Sequence, residues 1–404
     1  MTRKLYFEDA WLRHFTAKVT GTRQDERGHW LRLNQSAFYP EGGGQPGDSG
    51  KITSGGHEWQ VTDTQGDPDG GVWHLLAPEG AEPPGPGAAV EGLIDWERRF
   101  DHMQQHSGEH LIASCLYQLT GGFTHGLHIG REFSTIDVTM PDKSVKLEEQ
   151  TMEQIERMAN RLIAQDGAIV CRFPEEGELA ALPLRKDPTV TEHVRVCFIG
   201  DYELVACGGT HLGRTGQIGL VKLLKSEPAR GKLRLSFLCG QRAVYHYAKV
   251  YKAVSRASAL LSAGEEELPR RLEETLRQLE DTRRELGALR RQNSLARLPG
   301  LLKDAQTLKN GRRLITAQLE EHDLPALEAM AGRLVEESGL IVLLCVVKEG
   351  RWNLLFARSQ DVDADMNAFI KSTGARGGGR PDFARGAAQD SLPWEAARVM
   401  APHL

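Results

Sequence analysis

The chain has 404 residues, too many for one ordinary hydrophobic core, so we expect two to four domains. Its 40% apolar and 26% charged residues are normal for a soluble globular protein. Its longest apolar run, Leu340 to Val347, is far shorter than the roughly 20 residues of a transmembrane helix. The net charge of −5 argues against a protein that coats nucleic acid generally.

The first part of the chain predicts β structure. Residues 1–92 alternate short polar and apolar runs with many glycines and end in a linker-like segment over 78–89. This pattern is typical of an all-β domain, either a small barrel or a sandwich. The N-terminus, MTRKLYFEDA, has charges without a following apolar stretch, so no signal peptide is evident.

Residues 93–245 mix helix and strand patterns and predict an α+β domain. We expect helices over 106–119 and 146–165, and strands over 134–140, 168–173, 193–199 and 218–224. Near the end of this domain, residues 212–256 carry ten Lys or Arg against one acid, Glu227. Such a stretch could guide a phosphate backbone, although a charge run is usually only a solvated face.

The rest of the chain predicts a helical spacer over 246–300 and a small α/β domain over 301–404. In the spacer, leucines recur every three or four residues, a pattern typical of a helical hairpin or a coiled coil, at Leu268, Leu272, Leu276, Leu279, Leu286 and Leu289. In the last domain we expect strands over 313–318, 340–347 and 352–358, a helix over 324–338, and a glycine loop over 374–381. The predicted fold class is therefore α+β and multidomain, with a barrel-like first domain.

Two motifs far apart in the chain indicate a metal site. His106-Ser-Gly-Glu-His110 places two imidazoles one helical turn apart on one face, and Cys207-Gly-Gly-Thr-His211 adds a thiolate and a third imidazole. This ligand type and count fit tetrahedral zinc, and the soft sulfur disfavours magnesium and calcium. We therefore expect one Zn²⁺ per chain.

The motifs leave two alternatives open. His102 lies on the same helical face, so the pair could be His102 with His106, although Leu111 and Ile112 after His110 favour His106 with His110. Four protein ligands usually mean a structural site. Ligands spread along the chain with a single Cys favour a catalytic or substrate-anchoring ion instead. A zinc-peptidase reading fails because Glu109 precedes the second His rather than following the first.

Two glycine-rich segments and the cysteines complete the pattern. Phe38 to Asp48 contains Gly43, Gly44 and Gln45, which fit a tight hairpin or close backbone approach to a ligand. The second glycine-rich segment contains Arg376, Gly377, Gly378, Gly379 and Arg380. Its backbone amides could bind a phosphate group, or the segment could be only a flexible loop. It lacks the Lys-Ser/Thr ending of an ATP-binding loop. The six cysteines, at 115, 171, 197, 207, 239 and 345, show no paired spacing and favour a reduced, cytosolic protein.

These motifs carry a resemblance. HSGEHL and CGGTH, with FYPEGGGQPGD upstream and GARGGGRPDFARGAAQ downstream, resemble the editing half of alanyl-tRNA synthetases. The chain is more closely similar to freestanding AlaX-type alanyl-tRNA editing proteins of the long form, also through LYFEDAWLRHFTAKV and THGLHIGREFSTIDV. The resemblance extends over nearly the whole chain and identifies the last domain as the DHH-associated type.

The resemblance implies an aminoacyl-tRNA deacylase that hydrolyses mischarged tRNA(Ala), chiefly seryl-tRNA(Ala) and in some members glycyl-tRNA(Ala). The zinc ligands it implies are His106, His110, Cys207 and His211. The catalytic candidates it implies are Ser107, Gln45, Gly43 and Gly44, and RNA-binding candidates are Arg376 to Arg380. Without a class II aminoacylation core, the chain is not expected to charge tRNA.

The resemblance implies aminoacylated tRNA(Ala) as the partner and no association with a membrane. Formation of a homodimer through the spacer or the last domain stays open. Two positions depart from the family pattern: Ser107 stands where Thr is usual, and Glu109 where Gln or Thr is common. One rival interpretation is a zinc-containing RNA-binding or assembly factor without hydrolytic activity. Another is a hydrolase of free small esters, which would not need the basic stretch or the last domain.

Overall fold

The computed structural model describes residues 1–77, 82–175, 177–188, 193–320, 324–348 and 350–404. The chain forms two compact units, Met1–Ser255 and Arg256–Leu404. Residues 78–81 of the predicted linker lie outside the described residues, and Ala89 already begins a strand. The finer division into four domains stays a prediction. In the described ranges, no helix combines the length and apolar character needed to span a bilayer.

The first unit begins with a closed six-stranded barrel. The elements of this part of the chain, of which β1, α1 and β4 lie outside the barrel, are β1 (Arg3–Lys4), α1 (Leu5–Glu8), β2 (His14–Asp25), β3 (Gly28–Leu33), β4 (Gln35–Ser36), β5 (Gly50–Ser54), β6 (His57–Gly66), β7 (Val72–Leu76) and β8 (Ala89–Ile94). The barrel order is β2-β3-β7-β6-β5-β8. Alternate residues of β2, Phe15, Ala17 and Val19, are buried while their neighbours are exposed, as a strand with one buried face requires. The predicted choice between barrel and sandwich is thereby resolved as a barrel.

An α+β layer follows in the same unit. Its elements are α2 (Trp96–Thr120), β9 (Phe123–Ile129), β10 (Ser134–Thr139), α3 (Glu149–Ala164), β11 (Ile169–Arg172), β12 (Val196–Ile199), β13 (Glu203–Ala206), β14 (Val221–Ala229), β15 (Lys232–Cys239) and α4 (Gln241–Leu261). One sheet has the order β14-β15-β10-β9 and another β11-β12-β13. The strand predicted over 218–224 begins only at Val221, because residues Thr215–Ile218 form a 3-10 turn.

Helix α2 carries the first metal motif and begins at Trp96 rather than at His106. Asp95 caps it by accepting a hydrogen bond from the Arg98 amide, and Gly121 ends it with a φ of 70°. The charged first turns hide the apolar periodicity, which explains why the sequence places the start too late. At Gly108 the helix lies directly on β15, since a Cβ there would come 2.2 Å from the Cys239 Sγ.

A buried ion pair joins this helix to the barrel. The Arg99 guanidinium, which is fully buried, donates to the Asp48 carboxylate and to the Ala37 and Ala10 carbonyls. Asp48 also accepts the Tyr39 amide at 2.6 Å. Because Asp48 ends the glycine-rich segment Phe38 to Asp48, the ion pair places that segment beside the metal motif.

The second unit is a six-stranded sheet covered by helices. Its elements are α5 (Leu268–Ala296), α6 (Leu298–Lys303), β16 (Gln306–Thr307), β17 (Arg313–Gln318), α7 (Leu324–Leu334), β18 (Leu340–Lys348), β19 (Arg351–Arg358), α8 (Met366–Ser372), β20 (Arg376–Arg380), β21 (Phe383–Ala388) and α9 (Leu392–Met400). The strand order is β16-β17-β18-β19-β21-β20. Residues Leu340 to Val346 are buried, which explains their continuous apolar run.

The glycine loop predicted over 374–381 is wrong, because Arg376 to Arg380 form strand β20 at the edge of this sheet. A Cβ at Gly377 or Gly379 would lie 2.0 Å and 2.3 Å from carbonyl oxygens of β21. The glycines therefore allow two backbones to approach closely. In the predicted spacer, Leu268 of the six predicted leucines is half-buried, and the other five are between 45% and 56% exposed: Leu272, Leu276, Leu279, Leu286 and Leu289.

We expect Arg99→Met to lower the free energy of unfolding of the first unit by about 3–5 kcal/mol, because it leaves the buried Asp48 carboxylate without its partner. Urea denaturation followed by tryptophan fluorescence measures this change. Arg27→Met is the control, since the Arg27–Asp63 pair is exposed at its arginine and should change stability by less than about 1 kcal/mol. Equal destabilisation by both variants would show that the Arg99 pair is not special.

Candidate metal centre

Helix α2 presents two imidazoles to one point. His106 and His110 lie one turn apart, and their ring centroids are 5.1 Å from each other. Both side chains are almost fully buried. The turn after β13 supplies the other two groups, Cys207 and His211. The Cys207 Sγ lies 3.3 Å from the His106 Nε2 and 3.2 Å from the His211 Nε2.

The four donor atoms of His106, His110, Cys207 and His211 all lie within 4.8 Å of one another. The structure therefore brings together all four residues that the motifs single out. Neither ring nitrogen of His110 makes a hydrogen bond of good geometry, which leaves an orphaned buried donor or acceptor facing the other three groups. A divalent ion would satisfy it, so the residues fit a metal. Among the described residues, His102 does not belong to this four-residue group, which favours His106 and His110 as the helical pair.

One of the two glycines between Cys207 and His211 is required for a steric reason. A Cβ at Gly209 would come 2.1 Å from the His106 Cε1, so only glycine allows the turn to pass across that ring. At Gly208 a Cβ would meet nothing within 4 Å. The second glycine of the motif is therefore required by the site, and the first is not required by packing.

A polar side chain lies beside one ring nitrogen of each imidazole. His106 donates from Nδ1 to the Gln45 Oε1 at 2.8 Å, and His211 Nδ1 lies 3.3 Å from the Ser107 Oγ. The Nδ1 of His110 lies 3.1 Å from a Glu109 carboxylate oxygen. Such partners orient ligand rings and set which nitrogen faces the metal. Gln45 and Ser107, predicted as catalytic residues, thus contact metal-binding side chains.

Electrostatics favour a thiolate and a neutral imidazole at two of the four positions. Burial acts to raise the pKa of Cys207, but the His106 and His211 imidazoles outweigh it and hold the pKa of the thiol well below its usual value. Burial lowers the pKa of His211 to about 3, so its ring is neutral at neutral pH. These two protonation states are the ones that a metal requires. In contrast, burial acts to lower the pKa of His110, but Glu109 and Cys207 outweigh it and hold that pKa well above its usual value, so this ring must lose a proton when a metal binds.

The glycine-rich segment forms a tight hairpin whose two central residues have positive φ, 60° at Gly43 and 83° at Gly44. Gly42 and Gln45 exchange backbone hydrogen bonds across it. A Cβ at Gly44 would lie 1.7 Å from the Leu127 carbonyl oxygen on β9, whereas Gly43 is exposed. The turn therefore both delivers Gln45 and packs against the neighbouring sheet.

Sequence reasoning missed Arg195 and Thr210. Arg195 donates to the Cys207 and Gly209 carbonyls at 3.2 Å and 2.8 Å, which supports the turn between the two ligands. Thr210 accepts at its Oγ1 from the Gln45 amide at 2.8 Å. Thr210 lies within the motif and could have been suspected, but nothing in the sequence distinguishes Arg195 from other arginines.

The basic stretch over 212–256 is less free than its composition suggests. Five of its ten cations pair with acids of the same unit: Arg214, Lys222, Lys225, Arg234 and Arg242. On α4, Lys249 and Lys252 are exposed and make no ion pair with a described residue. The remaining predicted residues, Arg376 to Arg380, belong to the second unit, where both arginines are exposed.

We expect Gln45→Ala to weaken zinc binding by about 10–100-fold, because the Nδ1 of His106 loses the oxygen that orients its ring. Competition against a chromophoric zinc chelator measures the affinity. Gln60→Ala, at an exposed glutamine of the barrel, is the control and should bind zinc normally. Unchanged affinity in the Gln45 variant would contradict an orienting role.

Gly209→Ala should abolish stoichiometric zinc in the purified protein, because the added methyl group occupies the space of the His106 ring. Gly208→Ala should retain it, since its Cβ enters open space. Metal analysis of the two variants side by side, with circular dichroism as a check of folding, tests the difference. Full zinc content in both would show that the turn does not pack against the ring as described.

Comparisons with known proteins place these motifs in a family. The family model described as "Threonyl and Alanyl tRNA synthetase second additional domain" matches residues 194–235, which include Cys207 and His211. A model described as "tRNA synthetases class II (A)" matches residues 12–98, which form most of the barrel. The C-Ala domain of alanyl-tRNA synthetase from Aquifex aeolicus is 19% identical with a TM-score of 0.23, over 25% of this chain and 96% of that one.

Among curated proteins, the alanine–tRNA ligase of Pyrococcus furiosus is 32% identical over 96% of this chain. The chain spans only 42% of that ligase, and 42% of the Pyrococcus abyssi ligase, which is 31% identical. The alanyl-tRNA editing protein AlaX-L of Pyrococcus horikoshii is 30% identical, and here the match covers 96% of this chain and 94% of the relative. The chain therefore belongs to the AlaX-type alanyl-tRNA editing family.

Proposed function

We propose that this protein hydrolyses the ester bond of mischarged tRNA(Ala), chiefly seryl-tRNA(Ala) and also glycyl-tRNA(Ala). The single observation that carries the proposal is the convergence of His106, His110, Cys207 and His211 within 4.8 Å in a chain of this family. A synthetase pocket cannot strongly reject small isosteric amino acids, so a separate hydrolytic site is needed to remove them.

The proposed ion is one Zn²⁺, since three nitrogens and one sulfur match its preferred ligands. When bound, it would supply a positive charge that orients and polarises the aminoacyl group. Four protein donors favour this positioning role over an activated water.

The chain's own residues hold the site rigid. Gln45 orients His106, Ser107 contacts His211, and Glu109 lies against His110. Ser107 also accepts the Leu212 amide at 3.2 Å, so its hydroxyl is engaged on two sides. We therefore propose that Ser107 and Gln45 act as positioning residues, while the exposed turn at Gly43 borders the aminoacyl end.

For the RNA, we propose that α4 receives the acceptor stem. Tyr247 and Tyr251 are 65% and 48% exposed, and their rings stack with centroids 6.0 Å apart. The exposed Lys249 and Lys252 lie on the same helix. Exposed rings and free cations are the groups that contact bases and phosphates. In the second unit, Arg376 and Arg380 would add backbone contacts.

Incubation of the zinc-loaded protein with seryl-tRNA(Ala), glycyl-tRNA(Ala) and alanyl-tRNA(Ala) tests the function. We expect release of serine, and of glycine, with alanine released much more slowly. His106→Ala should reduce the rate to that of spontaneous hydrolysis, because it removes one of the four donors. His57→Ala, an exposed histidine of the barrel, is the control and should remain active.

Failure of the unmodified protein to release serine would contradict the proposal. If such a protein still bound tRNA(Ala) tightly, the RNA-binding factor without hydrolytic activity would be supported instead. Release from seryl-tRNA(Thr) at an equal rate would show that the acceptor stem is not read.

A further inference from the structure

A pair of thiols lies beside the candidate metal centre. Cys171 is on β11 and Cys197 on β12, and neither forms a disulfide. Their sulfur atoms and a ring nitrogen of His211 all lie within 4.8 Å of one another. Neither cysteine belongs to the four-residue metal group, so the proposed function does not use them.

The strand register places the two cysteines directly opposite each other. Gly200 donates its amide to the Ala168 carbonyl, which marks that pair as hydrogen-bonded. Hydrogen-bonded and non-hydrogen-bonded pairs alternate along antiparallel strands, so Cys171 and Cys197 form a non-hydrogen-bonded pair, with Cα atoms about 4.5 Å apart. This spacing falls inside the range of about 4.4–6.8 Å that a disulfide spans. A bond between them therefore requires no movement of the strands.

Access differs between the two thiols. Cys197 is fully buried, whereas Cys171 is partly exposed. An oxidant can thus reach Cys171 first, with Cys197 held in place to react next. Among the remaining cysteines, Cys115, Cys239 and Cys345 are fully buried, so a small oxidant has no comparable route to them.

We propose that Cys171 and Cys197 form a reversible redox site that closes to a disulfide in the presence of a peroxide. Hydrogen peroxide oxidises the Cys171 thiol to a sulfenic acid and releases one water. The Cys197 sulfur then attacks the Cys171 sulfur, a second water leaves, and the S–S bond forms. The two thiols lose two protons and two electrons, and the peroxide is reduced to two waters. A dithiol reductant reverses the change.

The test uses the full-length, zinc-loaded protein and hydrogen peroxide. Trypsin leaves Cys197 and Cys207 on one peptide, since no Lys or Arg separates them, but additional cleavage after Glu203 divides that peptide. We expect a linked peptide pair that contains Cys171 and Cys197, about 2 Da lighter than the two reduced peptides together, and absent after dithiothreitol.

Two variants and a control sharpen the result. Cys197→Ser should yield no linked peptide and should instead accumulate a sulfenic acid at Cys171, detected by dimedone labelling. Cys171→Ser changes the partly exposed member and should abolish the link with little effect on folding. Cys345→Ser, a buried cysteine of the other unit, should form the link as the unmodified protein does.

A linked peptide that contains Cys207 in place of either cysteine would overturn the proposal. Absence of any Cys171–Cys197 link in the folded, unmodified protein would overturn it as well. Neither outcome depends on deacylase activity, so the redox site and the proposed function can fail separately.

Discussion

The site depends on one buried ion pair, between Arg99 and Asp48. Removing both charges from water is unfavourable, and it is tolerated because the guanidinium also bonds two backbone carbonyls and the carboxylate accepts a backbone amide. These contacts join a barrel segment to the helix that carries His106 and His110. Together with Arg98, which donates to the Gly47 carbonyl, this ion pair holds the segment that carries Gln45 beside the helix that carries His106.

Beyond this ion pair, the candidate metal group is assembled where backbone segments pack very closely against other parts of the unit. Gly44, Gly108 and Gly209 each sit where a Cβ would meet another element: β9, β15 and the His106 ring. Packing at this distance transmits position from the barrel and the sheet to the ligand side chains. Gln45 from the barrel turn contacts His106, and Ser107 and Glu109 from the helix itself lie beside His211 and His110. The candidate metal group therefore lies where the barrel turn, helix α2 and the turn after β13 meet.

The same close packing brings other side chains together that are far apart in the sequence. Cys171 and Cys197 lie on adjacent strands close to His211, so the fold places a pair of thiols next to the candidate metal group. Their separation along the chain gives no hint of this arrangement. Likewise, half of the cations in the basic stretch pair with acids. Four of these acids are distant in the chain, and Glu227 lies on the same strand as Lys225. Helix α4 keeps exposed aromatic and cationic side chains.

The amino-acid sequence by itself determined which four side chains form the candidate metal group, because ligand chemistry and helical spacing are local properties that survive without a fold. It also determined the β-rich start and three of the six strands of the last sheet, where apolar runs such as Leu340 to Val346 report burial directly. Tertiary structure alone decided that Gln45 and Ser107 contact imidazoles, that Arg376 to Arg380 form an edge strand, and that Cys171 faces Cys197. Each of these depends on which distant backbone lies alongside, and no spacing within one segment encodes that contact.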